Sequence, residues 1–375
     1  MKKWAYYLPT KIYFGAGYLN NLKEYLSCMN SAKLLVVAGA SSMKKSGVLD
    51  RVRKLLAGYS PVIYGGVLPN PDTGTIDAGV GLAKKNSCQA VLAIGGGSVI
   101  DTAKAIAVIV KNGGRAADYL NGRRRILSGG LGLAAVPTTA GSGSEVTPFC
   151  VINSSRQKRK VTLQNDYLYP RIAVLDPELT VSLPGRETAI SGMDALSHSM
   201  EAYWSVNSNA ISDGFALASI RMVFANLKEA CTNPHDILAR SGMLKASLYA
   251  GLAFGNTKTT AVHSVSYPIT YFFGVPHGLA CAVTLAAFIR YNLPALGKRK
   301  KEFFRACGEK AAGGCARRVE ELMKAIGLPA RLTDLGINAS CMDRIIEYGF
   351  TPDRVKNNPR KLTKTGLRKI LVSLI

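Results

Sequence analysis

The sequence predicts a wound α/β domain followed by an all-α domain. Three observations carry this: short apolar runs alternate with helix-like segments in the first half, one such run passes through a glycine-rich turn into a helix, and strand-like alternation largely disappears after Asp176-Pro177. The division therefore falls between an α/β domain over residues 1–177 and a helical domain over residues 178–375. A chain of 375 residues, 47% hydrophobic and 19% charged, has enough apolar material for two cores, which excludes disorder as the main state. Its glycines and prolines follow no collagen-like period, and no 20-to-50-residue repeat marks a solenoid.

In the first half, the strand candidates are Leu34 to Val37, Val62 to Tyr64, Ala90 to Ile94, Leu133 to Val136 and Ile172 to Leu175. They are short, apolar and free of internal proline, as strands covered on both faces should be. Thr75 to Lys85 and Asp101 to Val110 carry helical periodicity between them, so crossovers between parallel strands are the economical topology. In the second half, Gly192 to Trp204, Ser212 to Ala230, Ile237 to Ala253 and Glu302 to Ile326 read as helices. The tail from Lys356 onward reads as a loop around Asn357-Asn358-Pro359-Arg360 and then a last amphipathic helix.

The formal net charge is +24, which speaks to solubility and to anionic partners rather than to fold. Arg123-Arg124-Arg125, Arg156 to Lys160 and Lys298 to Lys301 lack the aromatic interleaving and motifs of a nucleic-acid reader, so solvated faces compete with an anion-facing role. Eight cysteines without a C-x-x-C pair suit a reduced, intracellular protein. The start Met1-Lys2-Lys3-Trp4 reaches Pro9 before any secretory core develops, and no apolar run reads as long enough to span a membrane, so a cytoplasmic home is expected.

Two loops can meet a phosphate. Ala90 to Ile94 runs into Gly95-Gly96-Gly97-Ser98 and then a helix, an order that brings unpaired backbone N–H groups and the positive end of a helix dipole up to an anion. A tight turn between two core elements is the competing reading. The second loop, Thr138-Thr139-Ala140-Gly141-Ser142-Gly143-Ser144-Glu145, offers four hydroxyls for a phosphate, a ribose or a carboxamide, against a plain solvent loop. Gly15-Ala16-Gly17 lacks the third glycine of a dinucleotide fingerprint.

The chain has only four histidines. Asp194 and His198 stand four apart, on one face of a helix, and His263 and His277 complete a set of one carboxylate and three imidazoles suited to a divalent first-row metal. Taken singly, each histidine is as well explained by packing or capping. His235, in Asn233-Pro234-His235-Asp236, reads as a surface or capping residue.

These motifs, in this order, resemble the iron-containing, group III alcohol dehydrogenases over nearly the whole chain. The matching segments are Pro69-Asn70-Pro71, Gly95 to Ser98 with Asp101 to Lys104, Pro137 to Glu145, Asp176 to Leu179, Gly192 to His198 with Glu201, His263, Pro276-His277-Gly278 and Asn357 to Arg360. The resemblance implies a dehydroquinate synthase-like fold, with a dinucleotide-binding domain over 1–177 and a metal-binding and substrate domain over 178–375. It implies metal ligation by Asp194, His198, His263 and His277, pyrophosphate binding by Gly96, Gly97 and Ser98, and nucleotide contacts from Asp101, Thr138, Thr139, Ser142 and Lys160. Iron is the usual metal, with zinc also used by relatives. The implied activity is hydride transfer between a nicotinamide and a metal-polarised carbonyl, without a covalent nucleophile. A homodimer is within the family's habits, and neither a specific nucleic acid nor a membrane is an implied partner.

Three positions depart from the family pattern. Tyr267 stands where many relatives carry a second histidine, so it either replaces an imidazole relay or lines the site. Val99 stands where proline is commoner. Gly39, after the strand Leu34 to Val37, replaces an acid that would bond the adenosine ribose and repel a 2′-phosphate; with Ser41, Ser42, Lys44 and Lys45 close by, NADPH is expected as the cofactor, with NADH as the alternative. Asn256 to Pro268 resembles the phosphonoacetaldehyde reductase branch, whose product is 2-hydroxyethylphosphonate. Lys258, read as one or two helical turns before His263, is the candidate cation for such a dianion, against a plain helix-end lysine. The rival readings are a broad short-chain primary alcohol (butanol-type) dehydrogenase, a glycerol dehydrogenase-like enzyme or related lyase, and a nucleic-acid-binding protein on a vestigial enzyme fold.

Overall fold

The structure, a computed structural model, describes residues 3–29, 31–40 and 47–375. It divides into two compact units: Leu8–Thr139 with Ser144–Ser182, and the residues up to Tyr7 with Ala140–Gly143 and Leu183–Ile375. The crossing into the helical unit thus falls at Ser182, a few residues beyond Asp176-Pro177.

The first unit is built on a six-stranded sheet. In chain order its strands are β1 (Lys11–Phe14), β2 (Lys33–Gly39), β3 (Ser60–Val67), β4 (Ala90–Gly95), β5 (Gly132–Pro137) and, after the hairpin below, β8 (Ile172–Leu175). They lie in the order β1-β8-β5-β4-β2-β3, every pair parallel. The period of two decides which side chain faces which layer. Leu35, Val37, Val91 and Ala93 pack with Ile76, Val80, Ile100 and Ile106 from the helices Thr73–Lys85 and Gly97–Asn112. Leu34, Val36, Leu92 and Ile94 point the other way, onto Leu22, Leu26, Leu49 and Val52. With both faces covered, β4 is buried along its whole length, and each such Val, Leu or Ile contributes about 1.5–3 kcal/mol.

All five expected strands are present. Two features were not expected. The edge strand β1 is short and half-exposed, and the antiparallel hairpin β6 (Phe149–Ser154) with β7 (Arg159–Gln164) runs through the basic stretch expected as a solvated or anion-facing cluster. Alternation on β7 buries Lys160 while Arg159 stays exposed.

The second unit is helical. Its main helices are Gly185–Trp204, Ala210–Thr232, Ile237–Thr257, Ala261–Phe273 and His277–Asn292. Side-chain caps set several starts: the Asn209 carboxamide accepts from the Ile211 and Ser212 N–H groups, and Asp236 accepts from Leu238 and Ala239. The expected single helix Glu302 to Ile326 is two, Lys300–Ala306 and Ala312–Ala325, because Gly308 takes a φ of 72° that ends the first. The tail ends in the helix Lys364–Val372, as expected. Against the expectation that no apolar run reaches membrane-span length, two segments do by length and composition, Ala210–Thr232 and His277–Cys307, and most of the latter is buried as the core of this unit.

Candidate active site

In the α/β unit, the glycine turn joins β4 to a helix as expected. Gly95 has a φ of 156°, and a Cβ there would lie 2.7 Å from Val99 Cγ2, so the turn needs glycine at this point. Gly96, Gly97 and Ser98 are half-buried between fully buried neighbours, leaving the first turn of the helix open to a ligand. The second loop stands beside it: Thr138 N–H donates to the Gly95 carbonyl at 3.1 Å, and a Cβ on Gly96 would meet Thr139 Oγ1 at 3.2 Å.

Below this turn lies a polar network that sequence reasoning did not resolve. The Asp101 carboxylate accepts from Ser144 Oγ and from the Val151 N–H, and Lys160 lies close enough to act on it electrostatically. Lys104 is fully buried and donates to the Thr147 and Phe149 carbonyls at 2.7 and 2.8 Å; burial pushes its pKa down to about 8. Burial likewise raises Glu145 to about 7. Gly39 ends β2, half-buried, while Ser41 and Ser42, with Lys44 and Lys45, lie outside the described residues. Ser142 groups with the helical unit, where a Cβ on neighbouring Gly143 would come within 2.6 Å of Gly251 Cα.

In the helical unit, three helices each present an i, i+4 pair to one point. Gly185–Trp204 supplies Asp194 and His198, with Glu201 one further turn on; Ala261–Phe273 supplies His263 and Tyr267; His277–Asn292 supplies His277 and Cys281. Gly278 allows the third helix to come this close, since a Cβ there would sit 2.2 Å from the Ile190 carbonyl oxygen.

Asp194 is the hub of the cluster. Its Oδ1 lies 3.6 Å from His263 Nε2 and 4.0 Å from His277 Nε2, and its Oδ2 lies 3.9 Å from His198 Nδ1. The His198 ring stacks between Phe254, at 4.1 Å, and His263, at 4.3 Å. The His277 side chain is 27% exposed while the other three are at 10% or less, so the cluster opens on the His277 side. Burial opposes the charge on Asp194, but the imidazoles around it, His198 foremost, outweigh burial and hold its pKa well below the carboxylate range. Burial brings His198 down to about 4, leaving it neutral, the form a metal needs.

A divalent metal fits these residues. Asp194 Oδ1, His198 Nδ1 and His263 Nε2 are buried without any hydrogen-bond partner, an arrangement that is costly unless something else occupies their lone pairs. Ligands held about 2.0–2.2 Å from an ion sit roughly 3–4 Å apart, the spacing seen here. Glu201, which sequence reasoning placed in a motif without a role, is fully buried and orders one ligand: its Oε2 contacts His263 Nδ1, and its Oε1 accepts from Thr260 N and Oγ1 and from Val262 N, at 2.8, 2.6 and 3.0 Å.

Tyr267 lies with its ring 5.6 Å from that of His277. Its hydroxyl accepts from Arg354 Nη2 at 2.7 Å, and the guanidinium lies 4.5 Å over its ring while Nε donates to Thr259 Oγ1 at 3.2 Å. Lys258 is not on the helix of His263: with a φ of 61° it ends Ile237–Thr257, and the next helix begins at Ala261. It is exposed, and it acts with Lys356 and Arg354 on Asp353. His235 is exposed beside the Asp236 cap. Arg354 carries no signal in the linear sequence, because it falls in no recognisable spacing with the histidines; Cys281 does, four residues after His277, the spacing of Asp194 and His198, and sequence reasoning missed it.

A wound α/β unit with an open glycine turn, and a helical unit with an Asp/His₃ cluster, suit an enzyme that binds a nucleotide cofactor and a divalent metal. Residues 9–177 match the model of the iron-containing alcohol dehydrogenases, and residues 188–375 match that of the C-terminal domain of the same family. The chain belongs to the iron-containing alcohol dehydrogenase family and is an oxidoreductase acting on alcohols. It is 35% identical to long-chain-alcohol dehydrogenase 1 of Geobacillus thermodenitrificans, over 96% of this chain and 94% of that one. It is 31% identical to an NAD-dependent methanol dehydrogenase of Bacillus methanolicus, over 98% of each. Among solved structures it is similar to a sulfoacetaldehyde reductase from Bifidobacterium kashiwanohense in complex with NAD+, with a TM-score of 0.94 and 34% identity over 100% of this chain and 99% of that one.

Proposed function

We propose that this chain reduces a short aldehyde bearing an anionic head group, with phosphonoacetaldehyde as its sharpest version, using NADPH in preference to NADH and a divalent metal, iron or zinc. The observation that carries the reading is Arg354, a guanidinium laid over Tyr267 on the His277 side, where the cluster opens. A head group needs a cation about one short carbon chain away from the carbonyl, and a planar guanidinium suits a phosphonate or sulfonate oxygen pair. The sulfoacetaldehyde reductase that this chain resembles in structure is named for a substrate of that class. Arg354 takes the role first given to Lys258, which is exposed at a helix end.

Asp194, His198, His263 and His277 would hold the metal, and Gly96, Gly97 and Ser98 the pyrophosphate, with Thr138, Thr139, Ser142, Asp101 and Lys160 around the nucleotide. When bound, the metal supplies a Lewis acid and the reduced nicotinamide a hydride. Glu201 keeps the His263 ring in one orientation and tautomer. Tyr267 holds a hydroxyl proton beside His277, available to the product oxygen, and Arg354 fixes the ring that carries it.

The test compares kcat/KM for phosphonoacetaldehyde, sulfoacetaldehyde and butanal in wild type, Arg354→Ala, Arg354→Lys and Lys258→Ala. Arg354→Ala should lower the value for the anionic aldehydes about 100-fold more than that for butanal, the worth of a charge-assisted pair beyond whatever loss follows from freeing the Tyr267 ring. Arg354→Lys should recover part of the loss, and Lys258→Ala should do less. A wild-type preference for butanal would replace this reading with a broad short-chain alcohol dehydrogenase, in keeping with the names of the Geobacillus and Bacillus relatives.

Cofactor choice has its own test. Gly39 ends β2, where a carboxylate would face the 2′ position of the adenosine ribose. Gly39→Asp should raise KM for NADPH by roughly tenfold or more through like-charge repulsion and improve NADH use, measured by steady-state kinetics with both cofactors. Equal KM values for the two cofactors in wild type would remove the NADPH preference.

A further inference from the structure

We infer that Cys281 is a sulfur donor of the metal centre, a ligand beside the Asp/His set, and that it biases the site toward zinc over iron. This inference rests on the metal centre proposed above. One ligand atom each from Asp194, His263, His277 and Cys281 lie within 4.8 Å of one another, the one such group of metal-binding side chains among the described residues. His277 and Cys281 are four apart on one helix, so both side chains face the same point.

Cys281 is fully buried, and its Sγ lies within 4.8 Å of ligand atoms of Asp194, His263 and His277, so the sulfur faces polar groups rather than an apolar wall. Two of the other members of the group, Asp194 Oδ1 and His263 Nε2, are buried atoms with no hydrogen-bond partner, so what the sulfur faces is a set of unsatisfied lone pairs. The other seven cysteines are free thiols that join no such group. A thiolate at this place adds a soft donor to a set otherwise made of imidazole and carboxylate, and soft donors raise the relative affinity for zinc. Binding is balanced by loss of the Cys281 thiol proton to solvent as the metal–sulfur bond forms and a water leaves the ion.

The experiment titrates the full chain with Co²⁺ without oxygen and follows the near-ultraviolet sulfur-to-cobalt charge-transfer band, with bound metal counted by mass spectrometry. Wild type and Cys28→Ser, an exposed control, should bind cobalt with the band; Cys281→Ser and Cys281→Ala should bind cobalt without it. In competition, Cys281→Ser should lower the preference for zinc over iron about tenfold. X-ray absorption of the zinc-loaded wild type should show one sulfur neighbour at about 2.3 Å, a readout that needs no variant to fold. Cobalt bound to wild type with no band, or zinc with no sulfur neighbour, overturns the role of Cys281 and leaves the Asp/His centre standing. Absence of any bound cobalt or zinc overturns both.

Discussion

Asp194→Ala is expected to lower kcat/KM by about three orders of magnitude and to abolish stoichiometric metal binding. The size follows from the several kcal/mol that a Lewis acid contributes to a carbonyl reduction. Asp194 lies near all three imidazoles, at 3.6 to 4.0 Å, and is the one anion of the Asp/His set, so its removal takes charge and geometry together. Added iron should raise the Tm of wild type by mass action and leave the variant unmoved, because an ion that no longer binds the native state no longer stabilises it. Metal analysis and a thermal melt with and without Fe²⁺ check this. A variant that keeps its metal and most of its activity would show that the three histidines suffice.

Glu201→Ala should be the most destabilising single change near the site, by about 3–5 kcal/mol, the usual cost of breaking a buried charged pair. The carboxylate is fully buried and takes hydrogen bonds from Thr260 N, Thr260 Oγ1 and Val262 N as well as contacting His263. Burial works against its charge, yet His263 and the Thr260 bonds hold its pKa below the ordinary range. Thr260 in turn accepts from Trp204 Nε1 at 2.9 Å, so the loss reaches the end of the Gly185–Trp204 helix. For a unit of this size the expected fall in Tm is on the order of 10 °C. Glu201→Gln keeps the shape and part of the bonding, and should lower metal affinity about 10–100-fold with a smaller loss of stability, as changes behind a ligand do. An unchanged melt and unchanged metal affinity in Glu201→Ala would sink the positioning role.

Much of this was legible in the linear sequence for physical reasons. Apolar runs such as Leu34 to Val37 and Ala90 to Ile94 can be buried on both faces only within a parallel sheet covered by helices. Gly95 to Ser98 announces a close approach to the backbone, and Asp194 with His198 announces one helix face. Strand β1 was not legible, because four half-exposed residues at a sheet edge carry little periodic signal. The β6–β7 hairpin was hidden by its charges: Arg156 to Lys160 reads as a solvated cluster, while the pairing of Ser154 with Arg159 turns the chain there and buries Lys160. Lys258 looked continuous with His263 because periodicity does not reveal a residue at φ 61°.

The sequence by itself determined the division into an α/β and a helical unit, the glycine turn after β4 and the placing of Asp194 and His198 on one helix face, because each depends on local spacing or on a period of two or 3.6 residues. Only the tertiary structure decided what surrounds the Asp/His set. Glu201 meets His263 across 62 positions, Arg354 meets Tyr267 across 87, and Cys281 joins Asp194 and His263 through the packing of separate helices. Such contacts are set by how close helix axes come, which small residues such as Gly278 permit and no spacing along the chain records.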